Sequence, residues 1–506
     1  MSRAASHPSG PEPTLSGVDA LRAVDAANRA LAKGFWEDAW SRVLRRPTAL
    51  AGLAWLSIVA FLAVFAPLIA NGRPLLHSTL APDGSVVATH SPLWESLSSA
   101  DLLLIAGAVV SIVLMALPGR WASFGRSKRL GLIVVSGLQA GLTLAVASLG
   151  TAWFASPERV DEVRALARAE LFPWIVATSA ALLLVPFVVA IPTLDRRRWR
   201  VLMAFLVAAI AVFSIAARWK TPVRDLDQYR LDEAAGSARS VYTLIPWSQD
   251  QSSTGRSLIA PGTRYGDIER ALATAPAGDH RFWLGTDNVG RDVLACMLHA
   301  CRLSISIGLV STGIAVLIGV TIGSLMGYFG GKVDLLLFRV VETFMAIPVL
   351  FLLIVAAGVL PRNTYVMMAI IGCVTWTGSA RFIRAEFLKL RNQDFVQSAK
   401  AVGLPLRLIL FRHMLPNGVT PVLVDASFAI AAAITFEATL SFLGLGPDGQ
   451  ASWGQLLSSA TGTTGLFKWW LATFPGLAIF LTVLSYNMLG EAFRDAIDPK
   501  LRKAAL

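Results

Sequence analysis

Few residues of this chain stand in patterns that could do chemistry. Gly444, Gly446 and Gly449 spell G-x-G-x-x-G, but Pro447 sits inside the turn and no strand leads into it, so a nucleotide site is not expected. Gly330-Gly331-Lys332-Val333 lacks the upstream glycine and the Ser or Thr of a phosphate loop. Cys296, Cys301 and Cys373 have neither metal-ligand spacing nor a disulfide framework. The first two could meet, though reduced, packed thiols are the expectation. H-E-x-x-H and G-x-S-x-G are both missing, which leaves no hydrolase constellation. What remains are charges within apolar stretches: Arg339, Glu342, Asp425 and Glu437. An ionisable group in hydrocarbon is costly, so each needs a reason. Arg339 and Glu342, three residues apart, read as a local ion pair. Asp425 and Glu437 are expected to line a pathway or to touch a partner subunit.

The elements that carry those charges read as membrane helices. Of 506 residues, 55% are hydrophobic and only 15% charged, against about a quarter charged in soluble proteins. Mean hydropathy is +0.59. The apolar residues come in blocks of about 20, the length that spans a bilayer core. The first is Leu50–Ala70, followed by Leu102–Pro118, Leu130–Ala155, Leu171–Leu194 and Val201–Ala217. After the polar stretch Arg218–Arg302 come Leu303–Phe329, Leu335–Leu360, Tyr365–Phe382, Gly418–Phe442 and Trp469–Leu489. The fold class is therefore an all-α polytopic membrane protein with about ten transmembrane helices. Gly319, Gly323 and Gly327 form a small-xxx-small ridge suited to close helix packing.

A net charge of +12 could suggest nucleic acid, but in such a protein it reads as basic cytoplasmic loops, and no nucleic-acid partner is expected. Arg120–Arg129, Arg196–Arg200, Arg381–Arg412 and Arg494–Lys503 hold the clustered basic residues. All fall on one side if ten spans alternate, which places both termini in the cytoplasm and the helices in lipid. Met1–Pro13 is expected to be disordered, and Leu15–Trp40 has loose helical periodicity suited to a membrane surface. The first 48 residues show no cleavable signal peptide, so the first apolar block is expected to remain as an anchor.

Between the eighth and ninth blocks, Arg381–Asn417 is a charged excursion. Phe395–Val402 reads as a short helix that Gly403 breaks, and Pro405 opens a second helix where no N–H is needed. Leu406, Ile409, Leu410, Met414 and Leu415 give that helix an apolar face, and Pro416-Asn417 end it. A helix–turn–helix that is neither lipid-buried nor disordered suits docking to a soluble partner. The run Gln397-Ser398-Ala399-Lys400-Ala401-Val402-Gly403, with Leu415-Pro416-Asn417, resembles the EAA loop of ABC importer permeases. In that family the loop is a coupling helix seated in a cleft of the ATPase subunit. This chain departs at Gln397, where the family has Glu, and at Ser398, where it has Ala; Gly403 and Leu415-Pro416 are kept.

Other stretches are similar, in order, to the second, C-type permease subunit of dipeptide, oligopeptide and nickel importers. They are Leu284–Asp292, Gly327–Gly331, Phe411–Asn417, Leu440–Gly446 and Arg494–Pro499. The resemblance runs from about Trp283 to Arg502 and implies an ABC transmembrane type-1 permease core. It also implies a homologous second permease, two ATPase subunits that carry the ATP, an external substrate-binding protein, and a prokaryotic inner membrane. No cofactor or metal is expected on this chain, and the substrate class it implies is peptides or related solutes. The organisation read is 1–48 cytoplasmic segment, 49–70 first helix, 71–220 accessory four-helix insertion, and 221–302 external loop. The permease core at 303–490 then contains the coupling loop 381–417, and 491–506 is a cytoplasmic tail. Gly285–Asp292 reads either as a cap for the following helix or as a receptor contact. An ion-coupled secondary transporter is the alternative function, but it would need inverted repeats and broken midplane helices, and no matching halves are visible.

Overall fold

The computed structural model describes residues 35–116, 126–154, 172–190, 197–217, 226, 228–272, 280–447, 449–461 and 467–497. Met1–Pro13, most of Leu15–Trp40, the basic turns 117–125 and 191–196, and the tail 498–506 lie outside the described residues. The first helices are α1 (Phe35–Val43) and α2 (Pro47–Ile69), the latter opening on proline at a position with no N–H to lose. A hairpin, β1 (Leu76–Leu80) and β2 (Val86–His90), precedes α3 (Ser99–Ala116), α4 (Arg126–Phe154), α5 (Phe172–Ala190) and α6 (Arg197–Ala217). Strand β3 (Ala238–Val241) and the short pair β4 (Thr263–Arg264) and β5 (Arg281–Phe282) lead to the core. The core comprises α7 (Val293–Phe329), α8 (Gly331–Ala346), α9 (Val349–Val359), α10 (Thr364–Thr375) and α11 (Thr377–Leu390). It continues with α12 (Asp394–Ala401), α13 (Thr420–Phe442), α14 (Trp453–Ser459) and α15 (Trp469–Ile497).

Eight of the described helices are long and apolar enough to cross a membrane, and ten spans result if α8–α9 and α10–α11 each count as one. Those two pairs bend by 83° and 43°, where the sequence reading took Leu335–Leu360 and Tyr365–Phe382 as single spans. Pro348 accounts for the sharper bend. It has no N–H to continue α8 and pushes Ile347 into extended backbone (φ −90°, ψ 128°), so a new helix must start.

The long helix α7 is the centre of the core because its glycines let another backbone touch it. A Cβ on Gly319 would meet the Ala380 nitrogen at 2.8 Å, and one on Gly323 would meet the Ala380 carbonyl oxygen at 2.4 Å. One on Gly327 would meet the Phe387 Cβ at 2.4 Å. The ridge thus seats α11 at backbone contact, the small-residue packing that lipid-embedded helices depend on. Residue Trp376, at the bend between α10 and α11, is buried with Ala315, Met326 and Val341.

Helices α3–α6 form a separate bundle with its own alanine-rich seams, Ala147, Ala177 and Ala180 in one and Ala181, Ala204 and Ala208 in another. Its tie to the core is local. Asp101 accepts from the Ser98 N–H and hydroxyl at 2.8 and 2.7 Å and pairs with Arg302 of α7. Alongside the expected helical architecture, the described residues include a small sheet. The hairpin β1–β2 pairs with β3 in an antiparallel sheet of order β2-β1-β3, joining Leu76 to Val241. The stretch 71–98 therefore also packs with the segment before α7, forming a cap on one face. Trp247 stacks on Phe282 at 4.7 Å in this cap, under the Arg230 guanidinium at 3.8 Å. The opposite face, called the loop face here, carries α1, the end of α15 and α12. Arg46 meets Asp495 there at 2.5 Å, and Trp40 stacks on Phe493.

Candidate functional site

On the loop face, α12 ends in a motif that only glycine satisfies easily. The Gly403 N–H donates to the Lys400 carbonyl at 2.9 Å and the Leu404 N–H reaches back to Ala399 at 3.1 Å, with Gly403 at φ +74°. This is a Schellman closure with a left-handed residue just past the helix. Space around Gly403 is open, so the demand for glycine comes from the backbone alone. After Pro405 the chain runs through Leu406–Leu408, a π turn at Ile409–Met414, and a last turn at Leu415–Gly418. The sequence reading ended this helix at Pro416-Asn417, but the chain stays helical through Gly418. The wide π turn precedes Pro416, and the proline falls in the first turn of the next segment, where its missing N–H costs nothing.

One side of this hairpin is anchored and the other is free. Val396, Ala399, Ile409, Leu410 and Met414 are buried against Val320 of α7, Ile383 and Phe387 of α11, and Val422 of α13. The outward side presents Gln397, Ser398, Pro416 and Phe411, together with Val402 at 77% exposure. Leu406, expected on the apolar face, is 36% exposed and belongs to this outward side instead, while Leu415 is half-buried. At the position where the family has Glu, the Gln397 amide donates to the Arg391 carbonyl at 2.9 Å, a bond a carboxylate could not make.

The span charges separate into three environments. Arg339 and Glu342 form an exposed ion pair at 2.7 Å. Asp425, half-buried, accepts from the Ser379 hydroxyl at 3.1 Å and faces Gly378 of α11. Glu437, expected to face a pathway or a partner, is 0% exposed and takes a 2.7 Å hydrogen bond from Ser441 one turn on. It is packed inside the subunit because α14 comes so close to α13 that a Cβ on Gly454 would sit 2.3 Å from the Ala438 carbonyl oxygen. One pairing was invisible in the sequence. Arg384 of α11 grips Asp334 of α8 through two bonds, at 2.5 and 2.7 Å, across a sequence separation of 50 that carries no periodic signal.

On the cap face, Gly285–Asp292 forms a knot that caps α7. The Asp292 carboxylate accepts from the Ala295 N–H at 2.7 Å. Asp287 accepts from the backbone N–H groups of Val289 and Arg291 and from the Arg291 side chain at 2.8 Å. Gly290, at φ +80°, lies so close to Ser253 that a Cβ would overlap its carbonyl oxygen at 1.9 Å. Beside this knot lies a cavity of about 620 Å³ between the 441–447 turn, α14 and the turn after α9.

Residues 319–503 match the family described as binding-protein-dependent transport system inner membrane component. Residues 34–82 match the N-terminal TM domain of oligopeptide transport permease C. The oligopeptide transport system permease protein OppC of Haemophilus influenzae is 37% identical over 232 residues, covering 46% of this chain and 74% of that protein. The chain belongs to this permease family. The peptidoglycan transport system permease protein YejE of Agrobacterium fabrum is 41% identical over 221 residues, and the match spans 43% of this chain and 57% of that relative's length. An inward-facing MetNI methionine ABC transporter structure aligns with 40% of this chain and 96% of that chain, at 14% identity and a TM-score of 0.33. This subunit is thus a multi-pass inner-membrane permease of the ABC importer type. The two matched stretches leave residues 83–318 between them, which include the α3–α6 bundle and β3.

Proposed function

We propose that this permease supplies half of the translocation pathway of an ATP-driven importer of peptides or related solutes. The names of its relatives, oligopeptide and dipeptide permeases, support that substrate class. Its partners in this reading are a homologous second permease, two ATPase subunits and an external binding protein. ATP binding and hydrolysis belong to the ATPase chains, and this chain binds no cofactor. The loop face, with both termini, lies in the cytoplasm, as the basic turns suggest.

The α12–Gly418 hairpin is the observation that carries the reading. Its inner side is locked to α7, α11 and α13, and its outer side exposes Val402, Leu406 and Phe411 among polar and basic residues. A push on the outer side therefore reaches three spans at once without bending the hairpin. For ATP to switch the pathway, its binding must favour one arrangement of these helices over the other. Gly403→Val tests this. A β-branched residue at φ +74° costs about 1–3 kcal/mol and re-aims the hairpin, whereas Gly403→Asn tolerates the left-handed region. The valine variant should insert and assemble with the second permease yet lose ATP-dependent uptake, and the asparagine variant should keep most of it. Normal uptake by the valine variant would refute the coupling role.

A further inference from the structure

We propose that the cavity beside the α7 cap is a subsite for the C-terminal end of a peptide, with arginines taking the carboxylate. The proposal rests on the peptide-permease reading, which places the cap face outside. The volume of about 620 Å³ lies in the range of small-ligand pockets. Two cations line it and, among the described lining residues, no acid does. Arg362 projects from the turn between α9 and α10 and has no ion pair among the described residues. That turn is held in place, because Asn363 caps α10 through the Tyr365 N–H at 2.8 Å and Thr364 bonds Gln450 at 3.0 Å.

The second cation, Arg291, is fixed by its 2.8 Å bond from Nε to Asp287, which leaves its terminal nitrogens for another acceptor. Burial works against its charge, and the Asp287 carboxylate bonded to it offsets that penalty, so it stays cationic. A guanidinium in a recess matches a carboxylate in shape and charge. Ser441, Ser452 and Thr461 also line the cavity.

The test uses the assembled transporter in lipid nanodiscs, without the binding protein. Thr461→Cys is introduced with the exposed Cys373 replaced by Ser, and its alkylation by an impermeant maleimide is timed. Trialanine should slow the reaction about threefold at a concentration twice its Kd. Trialanine amide at the same concentration should leave the rate unchanged, and adding Arg362→Gln should abolish the trialanine effect. Unchanged rates with trialanine, equal protection by the amide, or protection that survives Arg362→Gln would each overturn the proposal. Ser459→Cys, on the same wall, serves as a second reporter should the Thr461 variant misfold. Uptake by the Gly403 variants tests the coupling role separately, so failure of one is distinguishable from failure of the other.

Discussion

Replacing Gly323 with Ala adds one methyl group at a backbone contact between α7 and α11. The new Cβ would lie 2.4 Å from the Ala380 carbonyl oxygen and 3.1 Å from its carbonyl carbon. A carbon–oxygen contact needs about 3.3 Å, so the helices must part by roughly 1 Å. Both neighbours are backbone atoms, and no side chain can rotate away. Overpacking of this kind costs about 1–3 kcal/mol, and here it also loosens the Gly319 and Gly327 contacts on the same ridge. Gly313 is the internal control. It lies on the same helix but has nothing within 4 Å of a built Cβ. There Gly→Ala should be neutral or stabilising by up to about 1 kcal/mol, from helix propensity alone. Thermal unfolding of both purified variants, read by tryptophan fluorescence, separates the effects. Gly323→Ala should melt several degrees below the parent and Gly313→Ala at or above it. Equal melting temperatures would refute the claim that α7 and α11 meet at backbone contact through this ridge.

Two other expectations concern the accessory bundle. Asp101→Asn and Arg302→Ala each break the pair that ties α3 to α7, and a double-mutant cycle on thermal stability should give a coupling of about 0.5–2 kcal/mol; strict additivity would show that the pair does not hold the bundle to the core. Replacing residues 99–217 with a short linker removes four helices and leaves the cap sheet and the core orientation intact, so some ATP-dependent uptake should remain. Complete loss of uptake in a well-inserted, ATPase-bound deletion would instead place these helices in the pathway.

The sequence by itself determined the membrane class, most of the spans and the helix–turn–helix after α11, because each is written locally. Twenty apolar residues in a row leave no other stable state in lipid. Gly403 followed by Pro405 likewise leaves the chain little choice but to close one helix and open another. Even the Gly319–Gly323–Gly327 ridge was legible, since its period is that of the helix.

Tertiary structure alone decided which surfaces meet. The cap sheet pairs Leu76 with Val241, and strands of five and four residues with no alternating pattern give no signal across that gap. Glu437 looked like a pathway or partner-contact residue because a carboxylate in a span demands a polar neighbour; that neighbour is Ser441 one turn away, sealed under α14. The bidentate grip of Arg384 on Asp334 and the cavity between Arg291 and Arg362 depend on helices that approach only after folding. Spacing in the chain fixes what a segment is, whereas its neighbours depend on the packing of side-chain volumes, and no short stretch of sequence contains that information.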